Sequence, residues 1–164
     1  MQRIGLLAIG VAIAWVAQGA VGAAQVRDRD MRDAAAEAAV ERALETFIAE
    51  WNTADDANLR RVLQFPFVSV AGGGALVIDR RPEDFSQGFD QMRERDGWRR
   101  SAFDFDAYTV VKSSPDKVHA EIGFSRYGAD GAAYMRSRVF YILTRQDDRW
   151  GVQLHTVAAS PADL

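Results

Sequence analysis

Few side chains in this sequence are of types that do covalent, metal or acid–base chemistry. Of its 164 residues none is cysteine and two are histidine, His119 and His155. Without cysteine there is no thiol nucleophile, no iron–sulfur cluster, no disulfide and no lipidated N-terminal cysteine. His119 and Glu121 are two positions apart, so on a strand both leave from one face, which begins a metal site but leaves it short of a third ligand. With His119 near the start of its strand and His155 near the far end of a strand two places away, ~4.8 Å per strand and ~3.3 Å per residue separate them by roughly 20 Å. The expectation is no metal and no cofactor. Ser/His/Asp catalysis is not expected either, because no G-x-S-x-G elbow occurs and neither histidine has an identifiable serine partner. Gly72-Gly73-Gly74 is followed by no Gly-Lys-Ser/Thr and no helix, and reads as a hairpin turn rather than a phosphate cradle.

Arginine is the polar type that periodicity brings onto apolar faces. Val118, Ala120, Ile122, Phe124 and Arg126 share one phase, and Arg138 shares phase with Phe140 and Ile142. A buried guanidinium is costly unless it meets a carboxylate, a ligand anion or an open pocket mouth. One reading is a salt bridge or a solvated strand end. The other is a site for a small molecule bearing a carboxylate or phosphate, gripped by Arg126 and Arg138, flanked by Phe124 and Phe140 and walled by Trp51 and Trp98. Either tryptophan can equally belong to the core, and Trp150, in phase with Val152 and Leu154, is expected there.

These side chains need elements to hold them. Val40, Leu44, Phe47, Ile48 and Trp51 recur at the spacing of one helical stripe, with Asp33 as its cap. Asn52-Thr53-Ala54-Asp55 stops that helix, and Asp55 or Asp56 caps a short second one burying Leu59, Val62 and Leu63. Phe65 to Val70 reads as a strand that starts at Pro66 or lies at an edge, since proline has no amide to donate. It turns at the glycines into a second strand, Ala75 to Ile78. PEDFSQGFDQMRER reads as a third helix with Phe85, Phe89 and Met92 inward, entered by Pro82 and ended by Gly97. From Trp98 on the period is two. Phe103, Phe105 and Ala107 alternate with Asp104, Asp106 and Tyr108, and turns at Ser113–Asp116, Gly128–Gly131 and Gln146–Arg149 mark four strands, the last of them Trp150 to Val157. Helices followed by an antiparallel meander predict an α+β domain with the helices packed on one face of a curved sheet.

Composition agrees with an ordinary folded domain: 48% of residues are hydrophobic, 26% are charged, and the net charge of −3 exerts no long-range pull on nucleic acid. The N-terminus differs. Arg3 precedes an uncharged apolar run, Ile4 to Val21, ending in Gly22-Ala23-Ala24, the pattern of a secretory signal peptide cleaved near Ala24. An uncleaved membrane anchor is the other reading of that run. The expected organisation is a signal peptide over residues 1–24, a polar lead over 25–32, one domain over 33–160 and a tail over 161–164. The cleaved product, of about 140 residues, is large enough for its own core, and its expected place is the periplasm or the exterior, free of the membrane.

The order helix, short helix, hairpin, helix and four long strands, with the segments FIAEWNTAD, DKVHAEIGFSRYGADG and LTRQDDRWGVQ, resembles the nuclear transport factor 2-like superfamily in its SnoaL-like and ketosteroid-isomerase-like branch. The resemblance runs from Ala34 to about Ser160. Members close the last strand with a basic, serine-rich segment where this chain reads LHTVAAS. It implies a cone: a curved, mostly antiparallel sheet with three helices on its concave face and a pocket between them. It also implies a homodimer through the convex face, with His119, Glu121, Ser125 and Tyr127 on or beside the interface. In the isomerases the pocket holds a tyrosine donor, a carboxylate base and a protonated acid, which fall here on Phe47, near Val70 and near Phe140. All three are apolar, so a steroid-type proton shuttle has neither its base nor its oxyanion donors.

Two functions remain. One is an exported domain whose hydrophobic pocket binds a small organic ligand, an anionic one included, without catalysis. The other is an isomerase, dehydratase or cyclase acting on a small hydrophobic substrate through other residues, such as Asp104 or Asp106. The alternation with Phe103 and Phe105 points those aspartates outward, which favours binding.

Overall fold

The computed structural model describes residues 32–70 and 73–157. The expected signal peptide, most of the expected polar lead, the last three residues of the expected domain and the tail lie outside the described residues. The first helix, α1, runs Ala34–Asn52, and the Asp33 side chain accepts the Ala36 amide at 2.9 Å. Val40, Leu44, Phe47 and Trp51 are buried along the expected stripe. Asp55 caps α2 (Asp56–Val62) by accepting the Ala57 amide at 2.8 Å. No helix among the described residues is long and apolar enough to cross a membrane.

Among the described residues six strands form one sheet: β1 (Leu63–Val70), β2 (Leu76–Asp79), β3 (Arg100–Ser114), β4 (Lys117–Tyr127), β5 (Ala133–Gln146) and β6 (Arg149–Val157), in the order β2-β1-β6-β5-β4-β3. Every pair is antiparallel except β1 with β6. The parallel pair joins the first hairpin to the meander. Arg149 Nη2 clamps it by donating to the Leu63 carbonyl and to Gln64 Oε1, both at 2.9 Å, while Gln64 Nε2 donates to the Arg149 carbonyl at 2.7 Å. A side chain at Gly151 would bring its Cβ within 2.9 Å of the Val62 carbonyl oxygen, so this close approach needs glycine. Helix α1 lies across β3, β4 and β6 and covers the concave face.

The first strand differs from the sequence expectation: it starts at Leu63 and lies inside the sheet, between β2 and β6. Pro66 is tolerated because pairing with β2 begins at Phe67 and the register with β6 shifts between Leu63 and Val68, so no ladder bond is due from its nitrogen. The third helix also differs. Pro82–Asp84 is a single 3₁₀ turn, Phe85 is extended, and α3 spans only Phe89–Asp96, between Gly88 at φ 70° and Gly97 at φ 67°. The break sends two buried residues to separate partners: the Phe85 ring meets Phe67 at 5.6 Å, and Phe89 meets Trp51 at 5.5 Å and Trp98 at 5.4 Å.

Alternation holds throughout the apolar part of β4, where Val118, Ala120, Ile122 and Phe124 are buried. It fails in β3 and β6, where extra residues shift the register. Between Asp104 and Thr109 the pairing with β4 slips, and Tyr108 packs against Phe105 at 6.4 Å instead of facing out with Asp104 and Asp106. In β6, Val152 opposes Leu143 but Leu154 opposes Ile142, leaving Gln153 as the extra residue. Trp150, Val152 and Leu154 therefore do not share a face; Leu154 turns outward, and His155 comes inward opposite Tyr141. In β5 the buried residues are Met135, Val139, Tyr141 and Leu143, so Arg138, Phe140 and Ile142 occupy the opposite face to the one expected.

Candidate functional site: a two-chambered cone

The concave face and the helices enclose two adjoining spaces. An inner cavity of ≈ 40 Å³ lies beneath α1, among Phe47, Trp51, Phe103, Phe124, Val139 and Tyr141, with Arg126 and His155 in its wall. It is close to filled by its own rings: Phe47 stacks on Phe103 at 6.2 Å and meets Tyr141 edge-on at 5.7 Å. A larger outer chamber of ≈ 490 Å³ opens toward β1, β2 and the Phe85–Gln87 segment, lined by Phe67, Val70, Val77, Asp79, Phe85 and Met135. Its size is that of a small-molecule site, roughly 300–1,000 Å³. Trp51, Arg126, His155 and Val157 border both spaces.

Two nitrogen donors at this junction are buried without an acceptor among the described residues: Arg126 Nε and Trp51 Nε1. The Arg126 guanidinium lies 5.7 Å from the Phe124 ring centroid. Nearby, Asp96 is lowered by Arg95, which holds it at 2.7 Å, and only secondarily by Arg126, while burial raises the Tyr134 phenol with Arg126 beside it working the other way. Burial pushes His155 down to about 4, with the Arg126 charge adding to it, so the imidazole is neutral at neutral pH. It packs edge-on to Phe67 at 5.4 Å and Tyr141 at 6.1 Å. Burial raises the Tyr141 phenol, keeping it protonated. In the outer chamber, burial and the neighbouring Asp84 charge raise Asp79. The junction is therefore a cationic, donor-rich spot between aromatic walls, suited to an oxygen-bearing anionic group.

Of the residues the sequence nominated, Arg126, Phe124 and Trp51 come together here. Arg138 and Phe140 do not: on the outer face, Arg138 Nε pairs with Glu121 at 2.9 Å, and Phe140 packs on His119 at 6.0 Å. Trp98 is core, fully buried, with its Nε1 donating to Ser101 Oγ at 3.0 Å. His119 and His155 are nearer than their strand ends imply. Register runs from His119 to Ile142 to Leu154, so His155 is two strands away, about 10 Å, but on the opposite face. His155, Tyr141 and Asp79 were not nominated. The first is hidden by the Gln153 bulge, the second by a strand that is apolar on both faces, and the third by its place at the end of a short exposed strand.

The family model described as NTF2-like protein (DUF6841) matches residues 36–160. Similar solved structures include a protein of unknown function with a cystatin-like fold from Nostoc punctiforme, 13% identical over 76% of this chain and 91% of that one, with TM-score 0.61. Aln2 from a Streptomyces species is 16% identical over 77% and 92%, with TM-score 0.61. A protein from Catenulispora acidiphila, solved in complex with S-DNPA, is 17% identical over 76% and 93%, with TM-score 0.60. At these identities the likeness is one of fold. No curated protein matches the chain.

Proposed function

The chain belongs to the family of NTF2-like proteins (DUF6841), and from that premise we propose that its cone binds a small organic acid, with the acid group at Arg126 and the apolar body in the outer chamber. The observation that carries this reading is the pair of buried donors without acceptors, Arg126 Nε and Trp51 Nε1, on side chains that border both spaces. A buried donor without an acceptor costs about 1–3 kcal/mol, and a bound carboxylate relieves two at once. The inner cavity, at ≈ 40 Å³, has no room for a ring, so the head group points inward and the body stays outside. The Catenulispora relative, found with a bound small molecule, supports a ligand-binding use of the fold. Asp104 and Asp106, which the enzymatic alternative would employ, are exposed and border neither space.

Arg126→Ala should weaken binding of phenylbutyrate and medium-chain fatty carboxylates tenfold to more than a hundredfold, about 1.5–3 kcal/mol. Calorimetry on wild type and variant measures it. Equal binding by both, or tight binding of a neutral steroid, would mean that the guanidinium is structural. We propose further that the leader is cleaved near Ala24, that the domain works in the periplasm or outside the cell, and that it pairs with a second copy through the convex face. N-terminal sequencing of the native protein should read from near Gln25; an intact Met1 in a membrane fraction would make the segment an anchor.

A further inference from the structure

We propose that the ligand is zwitterionic: an organic acid whose carboxylate meets Arg126 and whose far end carries a protonated amine that meets Asp79. This rests on the role of Arg126 argued above and supplies the other end of the molecule.

The outer chamber is bordered by four formally charged side chains, Asp79, Asp84, Arg95 and Arg126, and by His155. Two of the four are already paired: Asp84 with Arg81 at 3.1 Å and Arg95 with Asp96 at 2.7 Å. His155 is uncharged at neutral pH. Among the described residues, that leaves one cation and one anion without an ion pair, and they belong to opposite sides of the chamber. Asp79 ends β2 and Arg126 lies near the end of β4, four places apart in the strand order β2-β1-β6-β5-β4. Four strand spacings make about 19 Å of arc, and the curved sheet makes the direct path across its concave face shorter.

Between the two charges Phe67, Val77, Phe85 and Met135 supply apolar wall, interrupted by Ser69, Ser86 and Gln87. Asp79 is a half-buried carboxylate, and its raised proton affinity comes from lost water and from the negative charge of Asp84. A cation placed there relieves both. An amine brought in by the ligand does so without disturbing Arg126, whereas a second carboxylate at that end meets two like charges. Charge complementarity at both ends thus selects among acids that share the same head.

Calorimetry at neutral pH with phenylbutyrate, its para-aminomethyl derivative and its para-carboxyl derivative tests this. The aminomethyl compound should bind wild type at least tenfold more tightly than the parent acid, and the carboxyl compound more weakly. In Asp79→Asn, which keeps the side-chain shape, both differences should shrink toward zero. An amine that gains nothing in wild type, or gains equally in the variant, overturns the proposal; the three-ligand comparison in wild type decides it even if Asp79→Asn does not fold. Loss of the proposed function has a different signature: the parent acid itself fails to bind, or binds Arg126→Ala as well as wild type.

Discussion

Phe47→Asp should leave the chain unfolded. Phe47 is 2% exposed and sits in the middle of the α1 stripe, with the rings of Trp51, Phe103 and Tyr141 centred 5.7–6.2 Å from its own. Removing its ring alone costs about 3–5 kcal/mol. A carboxylate in its place is taken out of water among those rings, a further cost that Arg126, in the wall of the same cavity, offsets only in part. The sum is comparable to the about 5–15 kcal/mol that holds a domain together. Glu45, exposed on the opposite side of the same helix, provides the control: Glu45→Ala should melt within a few degrees of wild type. Circular dichroism on the two variants measures both, and equal melting temperatures would mean that α1 does not cover the cone as described.

The second large effect concerns acid. His155 has its proton affinity lowered from 6.5 to about 4, by burial first and then by Arg126. Between those values the unfolded chain takes up a proton that the folded one refuses, so stability present above pH ~6.5 is lost as pH falls toward 4. The full drop is on the order of 3 kcal/mol. Asp79, raised in the fold, works in the opposite direction nearer its own range, and Glu37 and Asp96, lowered by Arg32 and Arg95, lose their contributions only at more acid pH. The upper part of the window belongs to the two histidines: His155, with the large shift, and His119, lowered by its own burial and by the charges of Lys117 and Lys112. Denaturant melts from pH 7 to 4.5 should show the decline, and His155→Gln should make it shallower, leaving the part that His119 contributes. An unchanged slope in that variant would mean that the imidazole is solvated and not in the wall of the cavity.

How far these features could be read in advance depended on whether side-chain pattern or strand pairing decides them. The α1 stripe and the alternation of β4 are local patterns of side-chain type, and they brought Trp51, Phe124 and Arg126 to the site. Asp33 and Asp55 cap the helices where turn-forming residues interrupt the stripe. The Gln153 bulge arises from how β6 pairs with β5, and it moves His155 across the sheet with no change in residue type. Strand β5 carries large apolar residues in both phases, so alternation could not say which of Phe140 and Tyr141 faces in; the sheet register did. The Ser86-Gln87-Gly88 break in the expected third helix follows the separate destinations of Phe85 and Phe89, which only the packed core reveals.

The most direct measurement of the central claim is the side-chain N–H spectrum of the labelled protein titrated with phenylbutyrate. An arginine Nε–H signal that is absent from Arg126→Lys should move downfield and exchange more slowly with water as the carboxylate docks. The indole N–H that is absent from Trp51→Phe should move with the same midpoint. If neither signal moves at saturating acid while resonances elsewhere do, the acid binds outside the cone and the role given to Arg126 is wrong.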